Sequence, residues 1–543
     1  MINTPHPGRP GPAASATPPL RPNGLPEPIR LTPVLVDRLF EKWHDPARPF
    51  SPALLGGVLA AGAVGVVALG GGWRDGALHN GLNLVLAAVA IACVALPAAW
   101  SAGRIVAAPG RRTARDPRGR SRINRTGLAF CLLALALAAL AAFRDSPWVV
   151  GLGVLLALPV AAYGVTGGRT WTEVIGGGLV LPFVLPHAAP WVARGVRGTV
   201  TSGRFRLGPI VRTGLIAGAL LLVFGGLFAN ADAAFGDLAK GLVPDVSPAA
   251  QTWRIVTGAG TAFLALALTS LAMAPPPLRV LAPSRPAPAG RWTWAVPIAA
   301  LDLLFFAFCA IQANVLLASD RDEVLRSTGL TYAEYARQGF FQLVIVTVLV
   351  LAVVAFAVRY APLGTRRDRA LVRTLLGLLC ALTLVVVAVA LRRLYLYEEN
   401  SGWTRLRLWV HAFELWLGLV VVMVAAAGAT FKASWLPRAV AASGAAAFIG
   451  LAVLNPDAFI AERDVSRFEH TGRIDLGYLS GLSADAVPAL DRLPEPQRSC
   501  ALREIAYRLT RDEPGLAANL ARHDARAVLH RRPVASAPCR APG

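Results

Sequence analysis

Residues 300–320 read ALDLLFFAFCAIQANVLLASD, residues 321–340 RDEVLRSTGLTYAEYARQGF, and residues 341–354 FQLVIVTVLVLAVV. An apolar segment with one acid inside it is followed by a polar loop and a second apolar segment. A run of about 20 apolar residues spans a hydrocarbon core about 30 Å thick as an α-helix. The stretch therefore predicts a transmembrane hairpin, and the rest of the chain repeats that hairpin without its polar detail.

Composition agrees. The 543 residues are 55% hydrophobic and 16% charged, where a soluble domain carries about 25% charge. The net charge of +22 is mostly arginine in short loops between apolar blocks, where the positive-inside rule places it. No recognition motif accompanies that charge, so nucleic acid is excluded as a partner. Lysine is confined to Lys42, Lys240 and Lys432.

The pattern predicts an all-α polytopic bundle of about eleven spans with a small helical extracytoplasmic C-terminal region. The spans fall near 53–70, 81–100, 127–143, 148–167, 213–230, 255–273, 293–318, 340–358, 371–391, 406–428 and 437–455. Three regions follow: 1–50, disordered and ending in a short amphipathic interfacial helix after Thr32-Pro33; 51–455, the membrane domain; and 456–543, a polar helical tail. No charged start and h-region announce a cleavable signal peptide.

Orientation comes from Arg104, Arg111, Arg112, Arg115, Arg118, Arg120, Arg122 and Arg125 in one loop, which is expected to be cytoplasmic. The loops with Arg279, Arg285 and Arg291, with Arg359, Arg366, Arg367, Arg369 and Arg373, and with Lys432 and Arg438 fall on the same side. The expectation is a multi-pass plasma-membrane protein with its N-terminus inside and its C-terminus outside. Residues 171–193 are apolar but short and broken by Pro182 and Pro186. With Arg169 before them and Arg194, Arg197, Arg204, Arg206 and Arg212 after, they are expected not to cross. Gly214 and Gly218 make one GxxxG.

Cys93, Cys131, Cys309 and Cys380 lie in apolar blocks, whereas Cys500 and Cys539 lie in the tail. There they either pair in an oxidising space or remain two thiols. No metal spacing, cofactor motif, Walker A, HExxH or GxSxG occurs, so no cofactor or catalytic residue is assigned.

Polar chemistry gathers on the outer side. Asp302 sits near mid-depth and shares a helical face with Phe305, Cys309 and Gln312. In the tenth span Arg407, His411 and Glu414 share a face, with Glu414 also near mid-depth. An intramembrane ionisable group is costly unless paired, protonated or wet, so the two acids and the histidine point to a proton- or cation-handling cavity. The structural alternative is that Arg407 or Arg393 neutralises Glu414 and that Asp302 bonds a neighbouring helix. In the loop LTYAEYARQGF, Thr331 and Glu334 form a capping box. Tyr332, Glu334 and Arg337 then either line an external pocket or belong to a rigid connector. Glu399 lies in the similar stretch YLYEENSGWTRLR.

The phrases LTYAEYARQGFFQL, LYEENSGWTRLRLWVHAFELWLG and LNPDAFIAERDVSRFEHTGRIDLGYLSGLSADAVPAL resemble bacterial polytopic membrane proteins classed as domains of unknown function 4153 and 4173. LFANADAAFGDL fits the same pattern, and the resemblance covers roughly residues 130 to 530. It implies many helices followed by a short polar region and brings no activity, cofactor or site residue.

Three functions remain open. One is a transporter or channel-like protein using Asp302, His411 and Glu414. The second is a sensory or envelope-assembly scaffold whose outer loops and tail bind an unknown protein or envelope partner. The third is a membrane transferase on a lipid-linked substrate, with Asp232, Glu334, Arg337 and Glu399 converging at the outer face. The lipid bilayer is the expected partner in every case. A docked tail on a solid bundle favours the second; an open cavity between spans seven and ten favours the first.

Overall fold

The computed structural model describes residues 49–70, 80–102, 125–201, 248–282, 290–317, 340–511 and 515–535, with short pieces beside them, Trp43 included. The expected interfacial helix, the span at 213–230, the GxxxG at Gly214 and Gly218, and Asp232, Tyr332, Glu334, Arg337 and Cys539 lie outside the described residues.

The helices are α1 (Pro52–Ala68), α2 (Leu82–Ser101), α3 (Arg125–Phe143), α4 (Pro147–Thr166), α5 (Trp171–Leu179), α6 (Leu181–Thr201), α7 (Pro248–Met273), α8 (Arg291–Leu317), α9 (Phe340–Tyr360), α10 (Arg366–Ser401), α11 (Arg405–Thr430) and α12 (Leu436–Leu454). The tail adds α13 (Pro456–Thr471), α14 (Leu476–Ser480), α15 (Val487–Leu490), α16 (Gln497–Leu509) and α17 (Leu520–Arg531). Two two-residue antiparallel pairs close loops, Trp73–Arg74 with Ala77–Leu78 and Val106–Ala107 with Arg122–Ile123. The protein is an all-α polytopic bundle.

Nine of these helices, α2 to α4 and α7 to α12, are long and apolar enough to cross a bilayer. Helix α1 has 17 residues, about 26 Å at about 1.5 Å per residue, just short of a hydrocarbon core. Helix α10 has 36 residues, about 54 Å, so it protrudes. Local signals set the boundaries. Ser51 caps α1 before Pro52, and Thr170 with Glu173 and Thr365 with Asp368 form capping boxes. Gly402 and Asn455 end α10 and α12 at positive φ of 79° and 60°. On α8 Leu303, Leu304, Phe306 and Ile311 are exposed, an arrangement stable in lipid and costly in water.

Contacts between helix ends sort them into two faces. On the first, Trp43 Nε1 donates to Ala274 O at 2.8 Å and its ring stacks on His187 at 4.1 Å. Phe50 packs edge-on against Trp191, Arg279 pairs with Glu173 at 2.7 Å, Arg438 donates to Gly168 O at 2.6 Å, and Arg291 pairs with Asp368 at 2.6 Å. On the second, Trp253 donates to Leu69 O at 3.0 Å, Arg144 to Ala452 O at 2.7 Å, and Leu82 N to Ala518 O at 2.9 Å. Helices α5 and α6 meet at 68°. Glu173, His187 and Trp191 all touch first-face residues, so this pair starts and finishes on one face, as its flanking arginines predict.

Two bundles result. One apolar cluster joins α2 to α7 and another joins α8 to α11. Helix α12 bridges them, packing Ala445, Phe448 and Ala452 against α3 and α4 and lying beside α11. Close approaches use small residues: a Cβ on Gly164 would meet Cys131 Sγ at 2.8 Å, and one on Gly62 would meet the Ala262 methyl at 3.1 Å.

The tail folds as a lobe on the second face. Its core (Ile460, Val465, Leu479, Leu482, Leu490 and Leu502 among others) is continuous with Leu408 of α11 and Leu451 of α12. Buried polar bonds lock it down. Arg405 makes two bonds to Asp457, at 2.8 and 2.6 Å, and Ser483 N donates to the same carboxylate at 2.9 Å. Asp145 N donates to Asp485 at 2.8 Å, Ala484 N returns a bond to Asp145 at 3.1 Å, and Arg522 pairs with Asp145 at 2.6 Å. Inside the lobe Arg498 is fully buried against Asp491, Glu495 and the carbonyls of Arg532 and Pro533. Cys500 is disulfide-bonded, and Cys93, Cys131, Cys309 and Cys380 are free thiols.

Burial works to raise the Asp457 carboxyl, but Arg405 and Ser483 outweigh it and hold it below the usual carboxylate range. A depressed acid stabilises above its ordinary titration range and loses that contribution as pH falls through the depressed value. Arg405→Ala strands the buried carboxylate, and removing one partner of such a pair costs about 3–5 kcal/mol. The expected outcome is lost hydrogen-exchange protection across α13 at neutral pH, which acid, by neutralising Asp457, partly restores.

Candidate functional site

The residues singled out in the sequence that the structure describes fall on α8, α10 and α11. Asp302 sits on α8, 4% exposed, in the apolar cluster between Ile298 and Phe305. Phe305 and Gln312 of the same face are buried as well, and Cys309 Sγ lies 3.8 Å from Leu382 O of α10. Neither carboxylate oxygen of Asp302 has a hydrogen bond. Gln312 has one, from Arg393 Nη2 at 3.1 Å.

On α11 the face predicted for Arg407, His411 and Glu414 is the one turned inward. Glu414 is completely buried, with Thr347 Oγ1 of α9 at 3.3 Å from one oxygen and no bond at the other. The same hydroxyl lies 3.1 Å from Leu343 O. A hydroxyl has one hydrogen, so it serves the Leu343 carbonyl or the Glu414 carboxyl, not both. The three oxygens are all satisfied when Glu414 carries the proton and donates to Thr347.

His411, one turn nearer the second face, places Nδ1 3.1 Å from Glu398 Oε1. Glu398 is fully buried on α10, and its Oε2 is unbonded. Trp403 stacks on the imidazole at 5.7 Å, touches Phe459 of the lobe edge-on at 5.1 Å, and its N–H donates to Asp464 at 3.0 Å. Arg407 donates to Gly402 O, with its guanidinium 4.2 Å above the Tyr397 ring.

The structure thus joins His411 to Glu398 and Glu414 to Thr347, while Asp302 stands apart. Helix α10 separates α8 from α11, so Asp302 faces α10 whereas Glu414 faces α9. Of the structural alternatives, Arg393 bonds Gln312, Arg407 bonds Gly402, and Asp302 bonds no neighbouring helix. The Glu399 side chain, with Tyr332, Glu334 and Arg337, lies outside the described residues. Glu398 was not among the predicted site residues. Its signal was the helical phase: Val387, Leu394 and Glu398 repeat at spacings of seven and four along the buried stripe of α10. The span expected from hydropathy ends at 391, seven residues before Glu398. Among the described residues no group of three or more His, Cys, Asp and Glu is placed to hold a metal ion.

A family model, Domain of unknown function (DUF4153), matches residues 129–493. The chain belongs to this family. The DUF4153 region runs from α3 into the lobe and contains Asp302, Glu398, His411, Glu414 and the Arg405–Asp457 pair. No curated protein and no solved structure matches the chain.

An ionisable residue at mid-bilayer costs at least about 2.5–3.5 kcal/mol, and at Asp302 no hydrogen bond offsets it. Asp302→Leu is therefore expected to raise the thermal midpoint of the purified protein by several degrees. Glu414→Leu gains less because Thr347 then loses a hydrogen-bond partner. Differential scanning fluorimetry of both variants checks the order.

Proposed function

We propose that this DUF4153 member is a plasma-membrane scaffold or sensor whose lobe and outer loops bind a protein or other envelope component. The nine long helices anchor the lobe. The observation carrying this reading is the apolar core that the lobe shares with Leu408 and Leu451, sealed by Arg405–Asp457 and Arg522–Asp145. The lobe is built onto the helix ends as one piece with them, as a binding platform requires. Between Pro456 and Ala535 there are twelve arginines and twelve acids, so the lobe is neutral and suits neither nucleic acid nor another polyanion. Tyr507, on the exposed side of α16, stays 61% exposed beside Arg511, a pairing frequent at protein interfaces.

The lobe faces outward in this reading and the N-terminus lies in the cytoplasm. The arginines gathered on the first face support that orientation, as does the bonded state of Cys500, which belongs to an oxidising space. A second reading, proton-coupled transport, has its own support in the buried, half-bonded Glu414.

Orientation is tested with single cysteines. His470→Cys is expected to react with an impermeant maleimide on intact cells and Arg367→Cys only after lysis; the reverse pattern overturns the topology. A photo-crosslinking residue at Tyr507 is expected to give a discrete adduct in cells, and one at lipid-facing Leu303 none. Absence of an adduct from the lobe, with vesicle proton flux that Glu414→Gln abolishes, moves the assignment to transport.

A further inference from the structure

The Glu398–His411 pair lies where the bundle meets the lobe, and its geometry differs from that of the other buried acids. Asp302 and Glu414 touch only membrane helices. Glu398 holds His411, His411 stacks on Trp403, and Trp403 meets the lobe twice, through its backbone N–H to Asp464 and through its ring against Phe459. We propose that Glu398 and His411 form a proton-binding site at the second face, and that Trp403 transmits its occupancy to the docking of α13. The proposal is independent of what the lobe binds.

The chemistry follows from the contacts. With the proton bound, His411 is an imidazolium that donates Nδ1–H to Glu398 and lies beneath the Trp403 ring, where a cation is attracted to the face of an indole. Once the proton leaves, the imidazole is neutral, the stack loses its cation, and the Glu398 charge remains buried with one oxygen unbonded. The Arg407 guanidinium is close enough to act on Glu398, but it is already engaged with Gly402 O and the Tyr397 ring. Proton release therefore weakens the contact of Trp403 with α11, and with it the seat of α13.

Other charges face this junction. Glu414 lies one turn deeper on α11. From α13 come Asp464, with Arg467 at 4.0 Å, and Asp475 acts on Asp464 from the start of α14. From α9 the described neighbour is Val344, which packs on Leu394 and Val410 and does not titrate. Asp464 is the competing titratable group. Burial pushes its carboxyl above the usual range despite the Trp403 N–H. A raised acid favours the docked state as pH falls through the raised value, so it acts in the same direction as His411 and must be separated by substitution.

The test uses the full chain in nanodiscs. Hydrogen exchange of the α13 peptide, corrected for the intrinsic pH dependence of exchange, is followed from pH 5.5 to 8. Wild type is expected to lose about tenfold in protection as pH rises, the scale of a desolvated cation–π contact. His411→Phe keeps a ring under Trp403 without a titrating group and is expected to be flat with pH. Should His411→Phe fail to fold, Glu398→Gln keeps shape and an acceptor for Nδ1–H and is expected to be flat or strongly blunted. Asp464→Asn is expected to retain the profile. A wild-type profile without pH dependence, one that survives both Glu398→Gln and His411→Phe, or one that disappears only in Asp464→Asn overturns the proposal.

Discussion

Every α-helix leaves its last carbonyls without an intrahelical donor, and at the edge of a bilayer such groups are expensive to leave unmet. In this protein distant side chains meet that requirement. Trp253 caps α1 at Leu69, Trp43 caps α7 at Ala274, and Arg438 reaches Gly168 just beyond α4. Asn519 donates to both Ala141 and Arg144 at the end of α3, and Arg144 itself reaches Ala452 and Val453 at the end of α12. These bonds tie helices of different sequence position into two fixed faces. They also dictate that the lobe is docked, because Asn519 belongs to it. A lobe that swung free would uncover the end of α3 as well as its own apolar base.

Much of the membrane architecture was legible because lipid imposes a simple rule, length and apolarity over about 20 residues. The α5–α6 pair was legible for the same reason in reverse: the run was too short, broken by proline, and flanked by arginine on both sides. The face of Asp302 with Phe305, Cys309 and Gln312, and that of Arg407, His411 and Glu414, followed from helical period alone. What period cannot supply is the identity of the facing helix. Asp302 and Glu414 lie on helices that α10 separates, and nothing local in either segment encodes that. The contacts of the lobe were hidden for a stronger reason. Asp145 and Asp485 are 340 residues apart, and each reads in isolation as an ordinary loop acid.

The buried acids illustrate how one chemical group takes different roles from its surroundings. Asp457 is buried but receives a bidentate arginine and a backbone N–H, so it acts as a structural anion. Glu414 has a single hydroxyl whose hydrogen is contested, an arrangement suited to the protonated acid. Asp302 has no polar partner and lowers stability wherever it carries charge. Glu398 has an imidazole that itself can hold or release a proton. Only this last arrangement couples a protonation change to a side chain, Trp403, that reaches beyond the membrane helices.

The match to the family model ends at residue 493, inside the lobe, yet the packing does not end there. Leu490 and Leu493 share their core with Leu502, Ile505 and Ala525, and Arg498 pins the chain at Arg532 and Pro533 against Asp491. The same later segment supplies Asn519 and Arg522, the two residues that close the lobe over α3 and Asp145. Helices α16 and α17 are therefore part of the mechanical unit that the family region begins. Without them α13 would lose the packing that Leu502, Ile505 and Ala525 supply to the shared core, and the Trp403 contacts would rest on a less supported helix. The lobe thus joins α11, α12, α3 and α13 through one continuous set of contacts.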